Sequence, residues 1–132
     1  MLTMKRKSES RELVAFITTQ TGDDLIIAFA VCQPDDPTEI ESLIIVRTPK
    51  YEFFLEAWER GSSVSFDRNP HDDERAMLRE VVYAVDEKCV TLRTDDHKYK
   101  LDVRKVDPSE LSAMSRVFRK MNFDSSIKLS GV

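Results

Sequence analysis

Residues 79–123 read REVVYAVDEKCVTLRTDDHKYKLDVRKVDPSELSAMSRVFRKMNF, a β-hairpin that runs directly into a capped amphipathic helix. Val90, Leu92 and Thr94 alternate with Thr91, Arg93 and Asp95, and after the polar turn Asp95-Asp96-His97-Lys98 the alternation resumes as Tyr99, Leu101 and Val103. A period of two sends each set to one face of a sheet. Lys98, Lys100, Asp102 and Arg104 take the opposite face, so one side meets water and the other is covered, as in an antiparallel sheet. Asp107 then stands as an N-cap, Pro108 at the first helical position and Glu110 at the third, where a capping box places it. Leu111, Met114, Val117, Phe118 and Met121 form one helical stripe, which reads as core. Arg119 and Lys120 suit the negative end of the helix dipole, and Asn122 suits the left-handed position that closes a helix.

Working outward, Arg11 to Thr19 and Leu25 to Cys32 are β-rich runs around the Gly-containing turn Thr21-Gly22-Asp23-Asp24. The second run is apolar on both faces and belongs at the centre of the sheet. A loop with two prolines and four acids, Gln33 to Glu41, precedes the strand Leu43–Val46. Ser62 to Phe66 forms a short strand, and Asp67 to Glu74 is a charged loop broken by Pro70. Arg79 to Val85 is β-branched enough to be a strand, although Met77, Leu78, Val81, Val82 and Val85 have helical spacing. Ile127 and Leu129 add a short edge strand.

The segment 48–61 fits two templates: Tyr51, Phe54, Leu55 and Trp58 make a helical face, whereas Tyr51, Phe53, Leu55 and Ala57 make a strand face. Thr48 as cap, Pro49 at the first position, Arg60 in the last turn and Gly61 beyond it favour the helix. That reading leaves Phe53 and Ala57 as a second apolar strip needing its own cover, and assigns Trp58 to the core with an interface as the alternative. The expected fold is therefore α+β: an antiparallel sheet of about six to seven strands built from hairpins, covered by a C-terminal amphipathic helix and one further short helix. Residues 1–10 read as a flexible arm, 11–123 as a single globular domain and 124–132 as a tail.

At 132 residues the chain is long enough to bury roughly two thirds of its unfolded surface without metal or disulfide. Cys32 and Cys89, far apart in apolar runs, read as thiols in a reducing compartment. The polar N-terminus and the lack of a long apolar run point to a cytoplasmic protein with no membrane contact. The net charge of −4 conceals an acidic middle, with fourteen acidic and six basic residues over 23–85. This argues against a sequence-independent phosphate binder, so no nucleic acid is expected, although Lys5-Arg6-Lys7 and Arg116, Arg119 and Lys120 are local basic groups.

No catalytic signature, metal-ligand spacing or phosphate loop is present, and no cofactor is expected. Asp67, His71, Asp72, Asp73 and Glu74 are the densest cluster of metal-ligating types, but adjacent carboxylates in an extended loop diverge, and the cluster reads as solvated. His71 and His97 stand in polar turns, away in sequence from any nucleophile. Glu52 and Glu56 are four apart, as are Glu56 and Arg60, and the second spacing reads as a helical ion pair. The functional expectation is a small non-enzymatic interaction module that meets a protein partner or forms a homodimer. Its concrete form is a neutraliser of a basic effector, with Asp35, Asp36, Glu39, Glu41, Phe53, Asp67, Asp72, Asp73 and Glu74 as the partner surface. The competing expectation is a small enzyme or ligand-binding domain whose pocket, between sheet and helices, draws on Tyr51, Tyr83, Tyr99 or the acidic loop.

Overall fold

A computed structural model of the chain describes residues 11–36, 38–68 and 76–132. The order of elements is β1 (Glu12–Gln20), β2 (Leu25–Cys32), β3 (Ile40–Arg47), two 3₁₀ turns (Pro49–Phe54 and Ala57–Glu59), β4 (Ser63–Phe66), β5 (Ala76–Ala84), β6 (Cys89–Thr94), β7 (Lys98–Asp102), α1 (Pro108–Met121) and β8 (Lys128–Ser130). The fold is α+β, mostly sheet, with one main helix near the C-terminus.

The strands pair in the order β4-β3-β2-β1-β7-β6-β5-β8, and β4 also pairs with β5. Seven strands thus close into a ring. β4 and β8 share one edge of β5, β4 at Met77 and Ala76, β8 farther along at Glu80 to Val82. Two expectations change here. The sheet has eight strands, and it is mixed: β1 runs parallel to β7 and β5 parallel to β8. The first parallel pair follows from closure. Strands that alternate in direction around a ring of odd number must fail to alternate once, and the failure falls at the short β1–β7 seam, where only Glu12 and Leu13 pair. Past Leu13 the backbone of β1 needs another partner, and Glu110 supplies it by accepting the Ile17 N–H at 2.8 Å. Glu110 therefore ties α1 to β1 instead of completing a capping box. The N-cap itself forms as expected, with Asp107 accepting the Ser109 N–H.

The hairpin β6–β7 pairs Leu92 with Tyr99 and Val90 with Leu101, as its alternation requires. Two register shifts interrupt the alternation of β1 and β5. Between Val14 and Phe16 a bulge resets the phase, so that Val14 and Ile17 both face inward. The shift between Leu78 and Glu80 does the same for Leu78 and Val81, which is the source of the helical spacing in β5. The inward side chains and the stripe Leu111, Met114, Val117, Phe118 and Met121 form a single buried cluster. Asn122 is not left-handed, with φ −93°; its N–H bonds back to Phe118, and its side chain accepts the Ile127 N–H. Ile127 is buried and β8 follows, so the residues after α1 pack as part of the fold. Cys32 and Cys89 are free thiols.

Candidate functional site

The further short helix expected over 48–61 exists as two 3₁₀ turns separated by extended residues at Leu55 and Glu56. The physical cause lies one residue earlier. Arg47 ends β3 on an inward position and is 1 % exposed. A buried guanidinium must have acceptors for its donors. Glu52 turns inward to receive Nε at 2.7 Å and Nη2 at 2.8 Å, and Asp124 receives Nη2 at 2.8 Å and Nη1 at 2.9 Å. The Met121 carbonyl takes Nη1 at 2.7 Å, and the Phe123 ring lies 4.1 Å from the guanidinium carbon. Burial opposes the Arg47 charge, but its hydrogen bonds to the Glu52 and Asp124 carboxylates outweigh it and raise its pKa, while the Arg47 hydrogen bond holds the Asp124 carboxyl well below the usual carboxylate range.

Glu52 also accepts the Gly61 N–H at 3.3 Å, so one carboxylate joins the end of β3 to the far end of the segment. With Glu52 facing inward, the amphipathic stripe cannot. Tyr51, Phe53, Phe54 and Trp58 are 53, 70, 73 and 78 % exposed. Trp58 is therefore not core. Nor does the Glu56–Arg60 pair form: Arg60 donates to the Leu55 carbonyl and Glu59 accepts the Glu56 N–H. The Phe53 and Phe54 rings stand 3.9 Å apart between centroids, and Phe123, also exposed, borders the same end of the ring through Arg47. Thr48 bonds to Asp24 and Lys50 pairs with Asp23, which anchors the segment to the β1–β2 turn and brings two acids beside the aromatics. A cleft of about 350 Å³ opens under the segment, lined by Val46, Thr48, Tyr51, Phe54, Leu55 and Ser63 among others.

The expected partner surface divides. Asp35, Asp36 and Glu39 are exposed in the loop before β3, where the Thr38 hydroxyl lowers the Asp36 pKa. Glu41 is engaged by Arg68, which also pairs with Glu12. Asp67 accepts the Ser42 N–H at 2.9 Å. These five gather at the start of β3, whereas Phe53 lies beyond its end; at about 3.3 Å per residue, β3 separates the two groups by roughly 23 Å. Glu41 and Asp67 each also tie two parts of the fold, and Asp67 remains exposed. His71, Asp72, Asp73 and Glu74 lie outside the described residues, as do Lys5, Arg6 and Lys7.

The three tyrosines do not converge: Tyr51 lines the cleft, Tyr83 a groove along α1, and Tyr99 packs edge-on to Phe66. Among the described residues no group of three or more His, Cys, Asp or Glu could hold a metal, and no helix is long and apolar enough to cross a membrane. Sequence reasoning missed Arg47 as the organising residue; the available signal was an arginine closing an apolar strand with a glutamate five positions on. Comparison with protein-family models, with curated proteins and with solved structures finds no match for this chain.

Proposed function

We propose that this chain is a non-enzymatic interaction module that docks a basic protein partner on the aromatic segment Tyr51–Trp58. The observation that carries the reading is the outward presentation of four aromatics within eight residues, on a segment whose backbone is pinned from inside by Arg47 and Glu52. Large rigid aromatics dominate binding hot spots, and a pinned segment loses little conformational freedom on docking. Exposed aromatic clusters of this kind mark contact sites in soluble proteins. Asp23, Asp24, Glu56 and Glu59 surround the aromatics, against Lys50 and Arg60, so the rim favours a basic partner. The cleft beneath takes an apolar anchor from that partner. In this reading Asp35, Asp36 and Glu39 contribute to the long-range field that speeds encounter, without touching the partner. Neutralisation of a basic effector is the form this binding takes.

Native mass spectrometry of gently purified chain, beside a Phe54→Ser/Trp58→Ser variant and an Asp35→Asn/Asp36→Asn variant, tests the proposal. The expected result is a stoichiometric basic polypeptide retained by the wild type and the second variant and lost from the first. A homodimer alone, or a partner retained by the aromatic variant, would overturn it.

A further inference from the structure

We infer that the groove between α1 and the β5–β6 turn binds a phosphomonoester carried on an apolar body. The groove, about 550 Å³, lies away from the aromatic segment and stands on observations independent of it. Its polar lining is Lys88 from the turn and Ser112, Ser115, Arg116 and Arg119 from α1. These helix positions recur at spacings of three and four and so share one face.

The pairing of the other arginines marks this site out. Among the described residues Arg11, Arg47, Arg68, Arg79, Arg93 and Arg104 are each ion-paired, and Arg60 donates to a carbonyl. Arg116 and Arg119 alone have neither, and Lys88, which faces the same groove, has no ion pair among the described residues. Three cations line one groove, and their summed field favours an anion bound there. A phosphomonoester carries close to two negative charges and three strong acceptor oxygens, which suits two guanidinium forks, an ammonium and two hydroxyls better than a single carboxylate does. The rest of the lining is apolar, from Tyr83, Pro108, Leu111 and Val132, and calls for an apolar body on the phosphate.

The test is an NMR titration of the full chain with phenyl phosphate at low ionic strength, run beside inorganic phosphate and phenol. Saturable shifts at Lys88 and along Ser112–Arg119 are expected, with affinity above that for either fragment. The Arg116→Gln/Arg119→Gln variant, altered only at exposed positions, should fold normally and bind about tenfold or more weakly, the worth of one charge-assisted hydrogen bond. Arg79→Gln, at an exposed position paired with Asp95 at the far end of β6 from Lys88, should bind as wild type. Absence of saturation, equal affinity for inorganic phosphate, or unaltered binding by the double variant would overturn the inference. So would tighter binding here of an oligonucleotide lacking a terminal phosphate, which would make the groove a polymer surface.

Discussion

Replacing Arg47 with Met removes a charge that four parts of the chain share. Glu52, 8 % exposed, keeps only the Gly61 N–H, and the buried Met121 carbonyl loses its donor; Asp124 is exposed enough to rehydrate and adds little. Stranding one partner of a buried pair costs about 3–5 kcal/mol. Against a total stability of about 5–15 kcal/mol this is a large share, and it lowers the melting temperature by about 10 °C or more. The cost arises from the stranded carboxylate, so replacing Glu52 with Leu in the same chain should recover a substantial part of it, with a coupling of about 2–3 kcal/mol between the sites. Urea unfolding followed by far-UV circular dichroism of the wild type, both single variants and the double closes the cycle. Hydrogen exchange in Arg47→Met should accelerate first across residues 49–61, the segment that the pair pins. A single variant within about 0.5 kcal/mol of wild type, or costs that simply add, would refute the reasoning.

Three further outcomes follow from the same geometry. Gly61 has φ +133°, and an added Cβ would stand 2.9 Å from the Met77 Cε; because that methyl can yield, backbone strain dominates, and Gly61→Ala should cost about 1–3 kcal/mol by urea unfolding. Asp107→Ala, which removes the acceptor of the Ser109 N–H, should cost about 1 kcal/mol by the same measurement. The Asp124 pKa is depressed below its ordinary 3.8, chiefly by the Arg47 hydrogen bond, so its stabilisation is complete above that value and is lost as pH falls toward the folded one. Urea midpoints should therefore decline from about pH 5 downward, less steeply in Asp124→Asn.

The hairpin of β6 and β7 and the helix after it were legible because each depends on local periodicity and one cap: Val90, Leu92 and Leu101 alternate, and Asp107 binds the first turn. The closure of the ring was not. The β4–β5 and β1–β7 contacts join strands with no distinctive pattern of their own, and the bulges near Ala15 and Arg79 break the alternation on which strand reading depends. In segment 48–61 the short helix forms as 3₁₀ turns, but the buried face differs from the expected one for a different reason. Its amphipathic stripe is real in sequence, but the need of a buried Arg47 for Glu52 outweighs the burial of Tyr51, Phe54 and Trp58. Phe53, expected to need cover, is exposed, and Glu41 and Asp67, expected on a partner surface, also bond within the fold.

The docking claim is tested most directly by a photo-reactive phenylalanine placed at Phe53 in the source cells, with the same residue at Phe16, which is also exposed but on β1, as the control. Irradiation should join a basic polypeptide to the chain from position 53 and not from position 16. Equal products from both positions, no product, or only a product of twice the 15.3 kDa chain mass would contradict the account.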